Sequence, residues 1–201
     1  MVQVKEDKGS PPRVGEVLRA WGGLERLTLG QAPRERGGLA PRGRVKEANM
    51  RIAKGNFLAA ARGVLLAPGN GVVRADGHLV MGAGAAKALA RAYPHLPRVF
   101  GRMARGRPNM GGWYLYGLLV IQVAPGLSTG LFQTKGDWRD RADLSLITYS
   151  ARRLAEWLRN NPGQEAHLAF PGVGLGGLEE EEVLEVLEPI LKDLPTTLYK
   201  L

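Results

Sequence analysis

The sequence predicts an α/β domain built on a sheet covered by helices on both faces. Two observations carry that reading. Between residues 50 and 200, short apolar runs alternate with stretches of helical periodicity, the pattern of strands joined through helices. Twice, at 82–84 and 172–177, a glycine cluster stands where a strand gives way to a helix, and open α/β sheets hold their ligands at the carboxyl ends of strands. At 201 residues and 44% hydrophobic, the chain can fill one core of this kind and carry an extension besides.

Residues 1–49 form that extension. They hold eight Gly, four Pro and ten Lys or Arg against six Asp or Glu. Only 14–29 show helix-like apolar spacing, and Gly22-Gly23 interrupts it. One reading is a flexible, disordered basic tail. Another is an arm for nucleic-acid phosphates. A third is a mis-called start: Lys46-Glu47-Ala48-Asn49-Met50 can be encoded by DNA containing AAGGAGG, a bacterial ribosome-binding sequence, shortly before an ATG. On that reading Met50 begins the native protein. In every case 50–201 is the folded domain.

From Met50 the elements follow in order. Residues 50–53 suit a short strand, 54–56 a Lys-Gly-Asn turn, 57–61 a helical turn and 63–67 a buried strand. Residues 84–93 are good helix formers ended by Pro94. A helix is predicted over 96–105 and a loop over 106–112. Residues 113–124 read as one long strand of aromatic and β-branched residues, and 130–133 as a short one. Residues 143–160 are amphipathic, with Leu144, Ile147, Ala151, Leu154, Ala155 and Leu158 on one face. A buried strand at 166–170, a helix at 179–192 and a strand at 196–200 complete the domain. Four glutamates at 179–182 suit the positive end of that last helix.

Charge and composition narrow the chemistry. A net charge of +9 favours polyanionic partners such as nucleic acid. The absence of cysteine excludes disulfides, thiolate metal sites and cysteine nucleophiles. The longest apolar run, 115–125, is short and broken by Tyr116, Gly117 and Gln122, so no membrane partner is expected and a cytoplasmic protein is. His78, His95 and His167 lack metal-ligand spacing, no metal is expected, and His167 reads as structural.

Three stretches carry candidate chemistry. The first, 65–94, runs from a strand through Pro68-Gly69-Asn70-Gly71 to Met81-Gly82-Ala83-Gly84 at a helix start. Glycines let backbone approach a ligand, and helix N-termini favour anions. The second runs from Phe170 through Pro171-Gly172-Val173-Gly174-Leu175-Gly176-Gly177 to Leu178. The two loops could grip one diphosphate from both sides, or be two ordinary tight turns. Neither is a P-loop. The third is Thr134-Lys135-Gly136-Asp137-Trp138-Arg139 at a strand end. A lysine there can act as a nucleophile or stabilise negative charge; taken alone, Lys135 reads as a solvated surface lysine. Trp138 either stacks on a base or ribose or packs in the core.

Together these stretches resemble a macro domain, the ADP-ribose-binding three-layer α/β/α module with a central mixed sheet. The branch they resemble contains the DarG antitoxins and the human terminal ADP-ribose glycohydrolase. The matching pieces are Lys54-Gly55-Asn56, Asn70 with Val80-Met81-Gly82-Ala83-Gly84, Tyr93-Pro94, Gln133-Thr134-Lys135-Gly136-Asp137-Trp138 and the loop from Phe170 to Leu178. Two departures stand out: Gln133 replaces a proline, and Pro68-Gly69-Asn70 retains one asparagine of the usual two, followed by a longer stretch before Val80.

The resemblance implies an ADP-ribosyl hydrolase, with a non-catalytic ADP-ribose-binding module and an ADP-ribose 1″-phosphate phosphatase as alternatives. It implies Asn56 at the adenine edge. Gly82, Ala83 and Gly84, with Gly172, Val173, Gly174, Leu175, Gly176 and Gly177, would surround the diphosphate and distal ribose, beside Thr134. Asn70 would bind distal ribose hydroxyls, and Lys135 would carry the chemistry at the anomeric carbon. The DarG-like substrate is ADP-ribose on a DNA base. Arg98, Arg102, Arg105, Arg107, Trp138 and Arg139 are the candidate nucleic-acid contacts. No cofactor is implied, and a monomer is expected. If Met50 is the native start, mass spectrometry of the protein from its source will find no peptide from before it; any such peptide excludes the mis-called start.

Overall fold

The computed structural model describes residues 49–200, so the expectations for 1–48 lie outside the described residues. Six strands form one sheet: β1 (Arg51–Lys54), β2 (Gly63–Gly69), β3 (Leu118–Ala124), β4 (Leu127–Gln133), β5 (Ala166–Ala169) and β6 (Thr196–Lys200). Their order is β1-β6-β5-β2-β4-β3. All neighbours are parallel except the β3–β4 hairpin, so the sheet is mixed.

Among the described residues four helices cover it: α1 (Gly84–Ala92), α2 (Leu96–Arg105), α3 (Leu144–Asn160) and α4 (Glu180–Leu191). Strand β2 shows why there are three layers. Its side chains alternate faces: Val64 and Leu66 pack with Ile147, Leu154, Val183 and Leu187 from α3 and α4, while Leu65 and Ala67 pack with Leu89, Leu96 and Phe100 from α1 and α2. A strand buried on both faces needs a continuous apolar run, which 64–67 supplies. Asp143 caps α3, its Oδ1 accepting from the Ser145 and Leu146 N–H groups. Glu179 and Glu182 form a capping box on α4.

The long strand expected over 113–124 is shorter than its composition suggests. It begins at Leu118, because Gly117 takes φ 68° and the Tyr116 and Gly117 N–H groups bond to the Gln133 side chain instead of a ladder. Strand β4 is correspondingly longer than 130–133. The turn at Pro125-Gly126, with Gly126 at φ 71°, folds β4 back along the whole of β3, so Leu127, Ser128 and Thr129 find partners. The helical turn expected over 57–61 is a 3₁₀ turn, Phe57–Ala59.

After β2 the chain makes a small closed excursion over 71–80. Val80 N–H donates to Val72 O, Val73 bridges Leu79, and Arg74 N–H donates to His78 O. Helix α2 supports its outer side: Leu79 N–H donates to Pro97 O, and Gly101 faces the Gly77 carbonyl so closely that a Cβ would collide with it. Gly101→Ala should therefore destabilise the domain by about 1–3 kcal/mol, read as a lower midpoint in chemical denaturation. An unchanged midpoint would show that α2 does not brace the excursion.

Candidate functional site

Strands β5, β2 and β4 are adjacent and parallel, so their carboxyl ends lie side by side; Gly69 of β2 is in register with Gln133 of β4. A cavity of about 1150 Å³ opens there. Three segments wall it: residues 80–86 after β2, 134–141 after β4 and 169–177 after β5.

The first wall is the start of α1. Gly82, Ala83 and Gly84 are exposed to the cavity, and Gly84 sits at φ 54°. The first-turn N–H groups have no intrahelical acceptor. No side chain caps this helix, and no acid lies in its first turn. Nothing of its own competes with an incoming anion for the positive end.

The second wall is the loop containing Gly172, Val173, Gly174, Leu175, Gly176 and Gly177. Gly172, Gly174 and Gly177 all take positive φ. A Cβ on Gly172 would press on Ile147 and Leu178. The carbonyls of three consecutive residues are drawn to the 135–142 segment. Leu175 O accepts from Lys135 Nζ at 2.9 Å, Gly176 O from Ala142 N–H at 2.8 Å and Gly177 O from Arg141 Nε at 2.8 Å. The 3₁₀ turn Gly174–Gly176 begins with N–H groups that its own backbone cannot satisfy. The loop thus has donors to spare and its last carbonyls committed.

The third wall carries Thr134, Lys135, Trp138 and Arg139. Thr134 is buried, its N–H donating to Gly69 O at 2.9 Å. Lys135 is half-buried, and its Nζ also lies 3.5 Å from Trp138 O. Trp138 is 51% exposed, not core, with the Arg139 guanidinium 5.5 Å from its ring centre. Asp137 grips Arg139 through both carboxylate oxygens at 2.9 and 2.6 Å. That hydrogen bonding pulls the Asp137 carboxyl down to about 2, so the pairing is complete above the ordinary carboxylate range and is lost only as pH falls toward 2.

Asn70 lines the cavity but its side chain is occupied. Its Oδ1 accepts from Val72 N–H at 3.0 Å and its Nδ2 donates to Val80 O at 2.9 Å. It therefore ties shut the base of the 71–80 excursion and delivers Gly82 to the cavity. Asn56 does not line the cavity. Its Oδ1 caps the 3₁₀ turn by accepting from Leu58 N–H, although Gly55 N–H donates to Lys200 O and keeps this turn beside the end of β6. Arg98, Arg102, Arg105 and Arg107 are exposed on and after α2, and none lines the cavity.

Sequence reasoning missed the far end of the cavity. Tyr199 and Lys200 of β6, together with Glu180, line it beside Phe170. Lys200 pairs with Glu180 and sits 5.8 Å over the Phe170 ring. The Tyr199 hydroxyl is 2.9 Å from His167 Nδ1, and burial pushes the His167 imidazole below its usual range. The rule that ligands gather at strand ends pointed to β6, but its place beside β5 is not written in the sequence. Among the described residues no group of His, Asp and Glu could hold a metal ion, and no helix is long and apolar enough to cross a membrane.

The clamp at Asn70 is testable. Asn70→Ala leaves the Val72 N–H and Val80 carbonyl without their partner, which should cost about 1–3 kcal/mol. It should also speed amide hydrogen exchange across 71–80 more than elsewhere. Wild-type exchange there would mean the excursion closes without the asparagine.

No protein-family model matches the chain, and no curated protein matches it in sequence. Solved structures do. The macrodomain of Mycobacterium tuberculosis DarG is 25% identical with a TM-score of 0.60, covering 77% of this chain and 99% of that one. The macrodomain of Thermus aquaticus DarG is 23% identical with a TM-score of 0.59, over 76% and 98%. Thermosipho africanus DarTG in complex with ADP-ribose is 20% identical with a TM-score of 0.56, covering 75% of this chain and 41% of that longer one. The arrangement of strands in this chain is thus the macrodomain fold, and DarG macrodomains are among the structures that this chain is similar to.

Proposed function

We propose that this chain binds ADP-ribose in the cavity and hydrolyses the bond joining ADP-ribose to an acceptor. The observation that carries the reading is the position of Lys135. Its amine reaches from the β4 rim to Leu175 of the second glycine loop at 2.9 Å, in a cavity whose other side is the uncapped start of α1. A diphosphate between Gly82–Gly84 and Gly172–Gly177 takes the backbone N–H groups of both walls. The distal ribose then lies toward Lys135, Thr134 and Asn70. The ADP-ribose bound in the DarTG structure supports this choice of ligand.

In the reaction, the bond between the anomeric carbon and the acceptor breaks. The acceptor regains a proton, and water supplies the hydroxyl of free ADP-ribose. Lys135 acts at that carbon, either as a neutral amine that attacks and is later released by water, or by orienting the water. Positive charge on the ribose in the transition state is stabilised by the neighbouring diphosphate. A DNA base is the acceptor we favour, with Trp138 and Arg139 at the cavity mouth to stack on it. Arg98, Arg102, Arg105 and Arg107 would hold phosphates farther out. The protein would act in the cytoplasm as a monomer, in an antitoxin-like role.

A second reading has its own support. The Lys135 amine is bonded to carbonyls, and the Asn70 amide is bonded to backbone, as befits a module that holds ADP-ribose without cleaving it. Lys135→Ala separates the two. For a hydrolase, the variant keeps ADP-ribose affinity by calorimetry and loses about a hundredfold or more in turnover of ADP-ribosylated DNA. Wild-type binding without turnover on any linkage would establish the binding module instead.

A further inference from the structure

We propose that Gln133 positions Lys135, taking over in this chain what a rigid proline would do at the same point. The inference rests on Lys135 being the reacting group.

Gln133 ends β4 and is completely buried. Its amide oxygen accepts from the Tyr116 and Gly117 N–H groups, both at 2.9 Å. Its amide nitrogen donates to Tyr114 O at 2.9 Å and to Lys135 O at 3.2 Å. An amide side chain offers two donors and two acceptor sites, and all four are used. Its backbone is fixed as well: the N–H donates to Gly117 O at 2.8 Å, and the carbonyl accepts from Ser150 Oγ at 2.7 Å. A proline has no N–H to give to Gly117.

The backbone on either side of Lys135 is held by its neighbours: Thr134 N–H donates to Gly69 O at 2.9 Å and Gly136 O accepts from Gly71 N–H at 2.7 Å, while the N–H of Lys135 itself reaches Gly69 O only at 3.3 Å, a long bond. The bond from Gln133 fixes the direction of the Lys135 carbonyl, and with it the peptide at the root of this side chain. The segment that Gln133 grips, 114–117, also holds the other side of the site. The Tyr116 hydroxyl, fully buried, donates to Asn70 O at 2.8 Å. One amide thus fixes Lys135 directly and Asn70 through Tyr116. The diphosphate walls feel it only indirectly, since α1 and the second loop are rooted in β2 and β5 and make no hydrogen bond to the Gln133 amide.

A buried, satisfied glutamine that served the fold alone would affect stability and leave the lysine where it is. The test reads the lysine itself, in the full chain. Wild type, Gln133→Met and Gln133→Glu are trace-labelled with acetic anhydride, and modification of Lys135 is measured by mass spectrometry against exposed Lys87 in the same molecule. Gln133→Met removes all four bonds. Gln133→Glu keeps the acceptors for Tyr116 and Gly117 and loses the donors to Tyr114 and Lys135, so it carries the comparison where the methionine variant does not fold.

In folded variants we expect Lys135 to label severalfold faster relative to Lys87, with ADP-ribose affinity changed far less than kcat. On any linkage the wild type cleaves, kcat should fall by about a hundredfold with KM held. Wild-type labelling of Lys135 in a folded variant overturns the proposal, and so does a loss of ADP-ribose affinity as large as the loss of kcat. Labelling needs no substrate. If the wild type cleaves no linkage, the hydrolase reading fails, and the labelling ratio still decides whether Gln133 places the lysine.

Discussion

Everything at the site hangs from the end of β2. This strand lies at the centre of the sheet between β5 and β4, with both faces under helices. A one-residue slip would exchange Val64 and Leu66 for Leu65 and Ala67 on every packed face, so its register is strongly fixed. Its last residue, Gly69, gives its carbonyl to Thr134 and Lys135. It has no room for a side chain, because the Tyr116 hydroxyl would lie 2.7 Å from its Cβ. A packed core thereby locates a polar rim: the same alternation that buries leucine brings Gly69, Asn70 and Thr134 together at one edge.

Most of the fold was legible in the sequence, for physical reasons that differ between elements. The helix over 143–160 announces itself by its apolar face, and the structure places α3 within a residue of it, with Asp143 outside the helix as its cap. Strand β2 is readable because burial on both faces demands an unbroken apolar run. The limits of β3 and β4 were not readable. Tyr114 and Tyr116 have strand-forming side chains, but hydrogen bonds with the Gln133 side chain hold their backbone in a loop, and propensity gives way to that context. Ser128 and Thr129 look like turn residues until a hairpin partner is known.

The site divides in the same way. The glycine loops and Lys135 were visible as patterns, since glycine marks close backbone approach and a strand end marks a rim. What those residues bond to was not visible. Nothing local reveals that Asn70 closes a loop ten residues long by reaching Val80, or that Glu180 spans to Lys200 across twenty positions. Those pairings are made by strand order, and the order β6-β5-β2-β4 is set by packing over the whole domain. Asn56 shows the reverse case: a residue singled out by a motif is engaged in a local cap.

The three walls of the cavity are rooted in three neighbouring strands: the second glycine loop in β5, the α1 start in β2 and the lysine rim in β4. Hydrogen-bonded strands stand about 4.8 Å apart whatever side chains they carry. The width across which a ligand is gripped is therefore measured out by the backbone ladder. Substitutions in the lining can change what chemistry is offered and how tightly, but the gauge of the site stays constant. A lineage carrying this scaffold can change the side chains at the mouth, where Trp138 and Leu175 stand exposed, while the pitch of the cavity is inherited unchanged.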